Sequence, residues 1–108
     1  MPVQLDVAAP RLPVGTEITA YFVVAEALTN VVKHAGATGA DVRIGYGAGR
    51  VTIEVCDNGR GGADPARGSG LTGLRDRVET AEGELTIASP PGAGTILHVS
   101  LPVVADAT

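Results

Sequence analysis

The stretch ADVRIGYGAGRVTIEVCD (residues 40–57) holds two runs of alternating apolar and polar residues around a glycine-rich turn. Val42, Ile44 and Tyr46 alternate before the turn, and RVTIEV alternates in the same way after it. A period of two is typical of a strand with one buried face, and GAG between two such runs predicts a β-hairpin. The centre of the chain is therefore predicted to be an antiparallel pair of strands.

The segments on either side of this hairpin predict two helices and three further strands. Residues 16–35 contain no proline or glycine, which predicts a long helix before the hairpin. A glycine-rich loop (58–70) and an amphipathic helix (71–83) are predicted after it. Alternation predicts the remaining strands at 2–7, 84–89 and 95–102.

This order, β-α-β-β-α-β-β, favours one fold class. Hairpins outnumber crossovers, so we expect a mixed sheet with the helices packed on one face, a two-layer α/β sandwich. With 108 residues and no internal repeat or linker, the chain is predicted to be one domain over 1–108. Gly73, inside the second helix, is predicted to be a close-packing residue.

Composition and charge exclude several classes of function. The net charge is −4 and the eight Lys and Arg do not cluster, so a nucleic-acid partner is not expected. No apolar run approaches the ~20 residues of a membrane span, and no direct membrane contact is expected. Cys56 is the single cysteine, which excludes an internal disulfide and suits a reducing compartment.

The string GSGLTG (68–73) matches the dinucleotide fingerprint G-x-G-x-x-G. In a Rossmann fold the first glycine follows a strand directly, and an acidic residue ends the next strand. Here a long loop precedes Gly68 and no acidic residue ends IASPP, so this interpretation fails. The glycines could instead expose the amino end of a helix to phosphate, or only make the loop flexible.

Four polar residues share one face of the long first helix. Glu26, Asn30, Lys33 and His34 fall within roughly 100° of one another at 100° per residue. The remaining apolar residues, including Ile18 and Val32, are expected to pack on the sheet. Polar groups along a buried helix are costly without partners, although an ordinary solvated face is the alternative. Amide and carboxylate oxygens suit magnesium, and a lysine suits phosphate.

Asp57 stands where a strand meets the glycine-rich loop. Its carboxylate could cap backbone N–H groups of that loop, or accept a hydrogen bond from a ligand amino group such as that of adenine. Gly59 and Gly61 would let the backbone approach a flat base, and Thr95 before the last strand offers another hydrogen-bonding group.

Four motifs follow one another along the chain: EALTNVVKHA (26–35), DNGRG (57–61), GSGL (68–71) and GAGT (92–95). Taken in this order, they resemble the ATP-binding domain of sensor histidine kinases, within the ATPase group that includes gyrase, heat-shock chaperones and mismatch-repair proteins. EALTNVVKHA together with GLTGLRDRVE is most similar to the subfamily that works with helix-turn-helix response regulators. The resemblance implies a Bergerat-type ATP-binding fold.

The resemblance also implies roles for single residues. Asn30 would bind Mg²⁺, and Glu26 would assist it or act as general base on the acceptor imidazole. Lys33 and His34 would lie near the phosphates of ATP. Asp57 would bind adenine, with Thr95 supporting it through water. The residues that would shape the pocket and hinge a lid are Gly59, Gly61, Ser69, Gly70 and Leu71.

The implied function is phosphoryl transfer from Mg-ATP to a histidine on a separate dimerisation domain of the same parent kinase, and then to a response regulator. The helical hairpin that carries such a histidine is not found in this sequence. The chain is therefore expected to be an excised, cytoplasmic catalytic domain that binds ATP with little turnover, whether or not its parent is anchored in a membrane.

Two other functions are compatible with the same motifs. A serine kinase of the anti-sigma-factor type shares the fold and also lacks the hairpin, but the wording GLTGLRDRVE argues against it. A non-catalytic nucleotide-binding regulatory module is the third possibility, and the presence of both Glu26 and Asn30 weighs against it.

Overall fold

The computed structural model describes residues 3–8, 11–32, 37–59 and 71–103. In these ranges the chain forms a five-stranded sheet and two helices in the predicted order. No helix within them is long and apolar enough to cross a membrane. The elements are β1 (Val3–Ala8), α1 (Val14–Asn30), β2 (Ala40–Gly47), β3 (Arg50–Asp57), α2 (Leu71–Thr80), β4 (Glu84–Ala88) and β5 (Thr95–Pro102).

The sheet is mixed, with the strand order β1-β2-β3-β5-β4. β1 pairs with β2 in parallel, and the other three pairings are antiparallel. The predicted hairpin joins β2 to β3, with Gly47 paired to Arg50. Ala48 and Gly49 form its turn and both have positive φ, 53° and 74°, which suits the twist of a two-residue hairpin.

One face of the sheet carries the core. Alternate residues of β3 and β5 are buried beneath the helices, and α1 packs on β3 while α2 packs on β4. This confirms the two-layer α/β sandwich with both helices on one face. The largest fully buried side chains are Ile53, Leu74, Leu101, Val23, Val42, Val51, Val78 and Val99.

The first helix differs from its predicted bounds of 16–35. The α-helix begins at Val14, directly after Pro13, and Glu17 donates a backbone hydrogen bond to the Pro13 carbonyl at 3.0 Å. Proline is well placed at this boundary because the amino end of a helix leaves its N–H groups unpaired anyway. After Asn30 the chain continues as a wider π turn at residues 31–32, and residues 33–36 lie outside the described ranges.

The expectation that Ile18 and Val32 pack on the sheet is wrong. Their side chains are 54% and 69% exposed. The apolar residues of β1, such as Leu5 at 65%, are also exposed, although their register puts them on the helix side of the sheet. Because the helices cover β3 and β4, one flank of α1 and the edge strand β1 are left open in the described part of the chain.

Among the described residues, Gly73 does not pack closely against another element, contrary to the prediction. It is exposed near the start of α2, and no described atom outside the helix backbone lies within 4 Å of the position its Cβ would take. A side chain can therefore be added there without a clash with the described residues.

We expect Gly73→Ala to raise the free energy of unfolding by about 0.5 kcal/mol, because alanine loses less backbone entropy in a helix and Gly73 lies in the first turn, where this effect is smaller than in a helix interior. Chemical denaturation measures this difference. Gly83→Ala is the matched control and should destabilise the protein, since its Cβ would come 2.7 Å from both Leu101 Cδ2 and the Ser100 carbonyl oxygen. A loss of stability in Gly73→Ala would show hidden packing at that position.

Candidate functional site

The topology brings the ends of several elements to one edge of the sandwich. Since β1 and β2 are parallel, α1 runs opposite to both and ends where the antiparallel strand β3 also ends. β5 begins at the same edge, because its first residue, Thr95, pairs with Asp57. We call this edge the site end and define it by Asn30, Asp57, Gly94 and Thr95.

The direction of α2 also points its amino end toward this edge. β4 starts at the opposite edge, with Glu84 paired to Ser100 near the end of β5. α2 reaches that start through a short turn in which Gly83 N–H donates to the Val78 carbonyl at 2.9 Å. The first turn of α2 therefore points back toward the site end, and Leu71 is its first residue.

Glu26 and Asn30 lie on the flank of α1 that faces α2. They follow Phe22 at intervals of four residues, so the three side chains form one ridge. The Arg77 guanidinium of α2 lies 4.9 Å from the centre of the Phe22 ring. This contact shows that the ridge is on the side of α1 that faces α2. Glu26 and Asn30 are half-buried. The solvated-face alternative for these two residues is therefore disfavoured.

The Asn30 amide has an unsatisfied polar atom. Its Nδ2 is buried and has no hydrogen-bond partner, the one such side-chain nitrogen or oxygen among the described residues. An unpaired buried polar group costs about 1–3 kcal/mol. Half a turn of the terminal torsion exchanges amide nitrogen and oxygen, so the group can offer either a donor or an oxygen ligand. This chemistry fits a bound cation or phosphate at the site end.

Asp57 is the last residue of β3 and is half-buried. Its Oδ1 accepts a hydrogen bond from the Gly59 backbone N–H at 2.7 Å, which closes a tight turn around Asn58. The capping role predicted for Asp57 is thus present for one oxygen. No described donor bonds to Oδ2, so the carboxylate retains an acceptor for a ligand.

Thr95 stands beside Asp57 in the sheet and is itself oriented. Directly opposed residues of neighbouring strands have Cβ atoms about 4.5–5.5 Å apart on the same face, and Thr95 is the partner of Asp57. The Thr95 hydroxyl shares a hydrogen bond with the Ser89 hydroxyl at 2.6 Å. A carboxylate and a hydroxyl therefore lie side by side at the edge of the sheet.

Gly94 is a residue of the site end that sequence reasoning missed. It is buried, has φ of 76°, and packs on the Asp57 backbone carbonyl so closely that a Cβ would overlap it. The motif GAGT contained this signal, but only Thr95 was singled out from it. Gly94 allows the turn before β5 to lie against the end of β3 and so supports the placing of Asp57.

Cys56, next to Asp57, faces the other side of the sheet, because successive strand residues alternate. Burial, together with a 3.5 Å hydrogen bond from its thiol to the Glu54 carboxylate, raises the pKa of this thiol. The neutral thiol is thus favoured in the folded protein. The contribution of this preference to stability is full below the ordinary thiol pKa and is lost as the pH rises from there through the raised pKa.

We expect Cys56 to react with iodoacetamide near neutral pH more slowly than cysteine in an unfolded peptide, because only the thiolate is nucleophilic. The pH dependence of the alkylation rate measures this. Glu54→Gln should speed the reaction by removing a neighbouring negative charge. A Cys56 rate equal to that of the peptide would contradict the raised pKa.

The remaining predicted site residues are not tested by this geometry. Lys33, His34, Gly61, Ser69 and Gly70 lie outside the described residues, and their roles stay predictions. Glu26, Asn30, Asp57, Gly59, Leu71 and Thr95 lie within them, and their roles in binding also stay predictions.

The family model for histidine kinase-, DNA gyrase B-, and HSP90-like ATPases matches residues 15–105. A histidine-protein kinase/phosphatase of Brevibacillus brevis, DegS, is 35% identical over 99 residues, which cover 89% of this chain and 26% of DegS. The sensor histidine kinase NarS of Mycobacterium tuberculosis is 41% identical over 96 residues, which cover 82% of this chain and 22% of NarS. The chain thus spans about a quarter of the length of these relatives.

Solved structures have the same fold. The blue-light activated histidine kinase of Erythrobacter litoralis superposes with a TM-score of 0.77 at 27% identity, covering 94% of this chain and 35% of that one. The ATP-binding domain of PrrB from Mycobacterium tuberculosis has a TM-score of 0.70 at 27% identity, covering 94% of this chain and 82% of that domain.

Proposed function

Because this chain belongs to the histidine kinase-, DNA gyrase B-, and HSP90-like ATPase family, which binds ATP, we propose that it is the catalytic domain of a sensor histidine kinase. It spans 1–108 as one domain. It transfers the γ-phosphoryl group of Mg-ATP to a histidine on a separate dimerisation domain, from which a response regulator receives it. The domain works in the cytoplasm, where ATP is available. The curated relatives are sensor histidine kinases, which favours this function over a serine kinase.

The observation that carries the proposal is the unpaired amide of Asn30 at the same edge as the Asp57 carboxylate. The amide lies on the ridge of α1, and the carboxylate and the Thr95 hydroxyl lie at the sheet edge. A ligand that has a base at one end and phosphates at the other would satisfy both. Asp57 would accept a hydrogen bond from the adenine amino group, and the amino end of α2 would face the phosphates.

Asn30 would hold magnesium, which when bound would neutralise charge on the phosphates. Glu26 would either assist Asn30 at the magnesium or act as the general base that takes the proton of the attacking imidazole nitrogen. The other residues of the site would position the nucleotide. As the new nitrogen–phosphorus bond forms, the bond to the ADP oxygen breaks and ADP leaves. Lys33 and His34 would stabilise the phosphates, and Ser69, Gly70 and Leu71 would close over them.

Calorimetry with ADP and magnesium tests the binding half of the proposal. Heat of binding is expected at submillimolar nucleotide, and its absence at millimolar ADP would overturn the proposal.

Incubating the domain and [γ-³²P]ATP with the histidine-bearing domain tests the transfer half of the proposal. Acid-labile, base-stable label is expected, because phosphohistidine has that stability, whereas label on serine would support the serine-kinase alternative.

Asn30→Ala is expected to remove most of the magnesium dependence of ADP affinity, because the variant lacks the amide oxygen proposed as a metal ligand. ADP should bind the wild type about tenfold or more tightly with Mg²⁺ than with EDTA, and the variant about equally in both. Thr29→Ala is the control, since Thr29 is exposed and its hydroxyl bonds, within the described ranges, only the Ala25 carbonyl of its own helix. A magnesium dependence retained by Asn30→Ala would assign the metal to other residues.

A further inference from the structure

Asn58 joins two segments that are twenty residues apart in the chain. Its Oδ1 accepts hydrogen bonds from the backbone N–H groups of Thr38 and Gly39, at 2.9 and 3.1 Å. Its Nδ2 donates to the Thr38 hydroxyl at 2.8 Å. Its backbone N–H donates to the Gly39 carbonyl at 3.4 Å. One side chain thus pairs with three groups of a single short segment.

The segment held by Asn58 connects α1 to the sheet. Thr38 and Gly39 directly precede β2, whose first residue, Ala40, pairs with Asp57. Asn58 therefore continues the β2–β3 pairing one position beyond the last strand residue, with its side chain in place of a further strand pair. The connection that follows the proposed metal-binding turn of α1 is attached in this way to the end of β3.

Asn58 is also the middle residue of the turn that orients Asp57. The hydrogen bond from Gly59 N–H to Asp57 Oδ1 closes that turn across Asn58. With both the backbone and the side chain of Asn58 tied to Thr38 and Gly39, the turn has little freedom to rotate. Asparagine is suited to this place because it offers an acceptor and a donor at once.

We propose that Asn58 is a positioning residue for adenine recognition, which holds the Asp57 carboxylate at a fixed place relative to the end of α1. This inference rests on the proposed nucleotide-binding function. Asn58 itself is exposed and need not touch the base. It would keep the Asp57 carboxylate, the proposed acceptor for the adenine amino group, at a constant distance from Asn30 at the end of α1.

The test compares ADP with inosine diphosphate, in which an oxygen replaces the adenine amino group. Calorimetry gives the ratio of the two affinities for the wild type and for Asn58→Ala. We expect the wild type to prefer ADP by about tenfold or more, because inosine diphosphate has an oxygen where ADP has the amino group that would donate to the charged Asp57 carboxylate. In Asn58→Ala the affinity for ADP should fall, that for inosine diphosphate should change little, and the ratio should approach one.

Asn58→Asp is the rescue variant. Aspartate keeps the acceptor for both backbone N–H groups, and the Thr38 hydroxyl can turn to donate to it, so the ratio should return close to the wild-type value. Thr38→Val removes only the hydroxyl and should lower the ratio about two- to threefold, which is the size expected for one modest hydrogen bond. If Asn58→Ala does not fold, Thr38→Val tests the positioning role in its place.

The outcomes separate this inference from the function on which it rests. If the wild type binds no ADP, both are overturned. If the wild type binds ADP and Asn58→Ala weakens both nucleotides equally, Asn58 is merely structural and only the positioning role is overturned. The positioning role is also overturned if Thr38→Val leaves the ratio of the two affinities unchanged and Asn58→Asp does not restore the wild-type ratio.

Discussion

Asp57→Asn is expected to weaken the binding of Mg-ADP by about tenfold to a hundredfold. A hydrogen bond to a charged group contributes about 1.5–3 kcal/mol, and each 1.4 kcal/mol is roughly a factor of ten in affinity. The substituted amide can still accept the hydrogen bond from Gly59 N–H. The turn should therefore remain, while the negative charge that favours an amino-group donor is removed. Calorimetry measures the affinity, and thermal unfolding verifies that the fold is retained.

Asp41→Asn is the matched control for the loss of charge. Asp41 lies on the neighbouring strand, opposite Cys56, and its exposed side chain is on the side of the sheet away from the helices. The substitution Asp41→Asn removes one negative charge close to the site end but leaves the Asp57 carboxylate, the proposed acceptor, unchanged. ADP should bind Asp41→Asn as it binds the wild type, and equal binding by Asp57→Asn would refute the adenine-binding role.

Gly94→Ala is expected to have the largest effect on stability among these variants. The added Cβ would overlap the Asp57 carbonyl oxygen. Gly94 directly precedes Thr95, which is paired with Asp57 in the sheet, so neither backbone has much room to move. Overpacking of this kind costs about 1–3 kcal/mol. The shift of the Asp57 backbone should weaken ADP binding in the same variant. Chemical denaturation and calorimetry give the two effects separately.

Gly92→Ala separates this clash from backbone strain. Gly92 and Gly94 have nearly equal positive φ, 79° and 76°, but nothing described lies within 4 Å of a Cβ at Gly92. Both variants place an alanine in the left-handed region, which lowers the free energy of unfolding by about 1–2 kcal/mol. Only Gly94→Ala adds the destabilising overlap with Asp57. Equal destabilisation of the two would show that the contact with Asp57 contributes nothing.

The order of the elements could be predicted from the sequence because its signals are local. The alternation in 40–57 and the turn at Ala48 and Gly49 together specify a hairpin within eighteen residues. The bounds of α1 were less accurate, because the predicted start ignored Pro13 and Gly15, and a glycine in the first turn is tolerated there. Neither Ile18 nor Val32 could be recognised as exposed, since exposure depends on which strands the helix covers.

Within the candidate site, the sequence supplied the kinds of side chain and the tertiary structure supplied their neighbours. Glu26 and Asn30 could be placed on one helix face from their spacing alone. That this face meets α2 depends on the contact between Phe22 and Arg77, which come from different helices. Asp57 could be identified from its motif, whereas the missing partner of the Asn30 amide is visible only in three dimensions.

By itself, the sequence determined the fold class and the chemistry available to the site, because periodicity and residue type are properties of neighbouring residues along the chain. Only the tertiary structure decided that Gly94 packs on Asp57 and that Asn58 holds Thr38. Those contacts join segments twenty or more residues apart. They depend on how the strands pair across the sheet, so no local pattern encodes them.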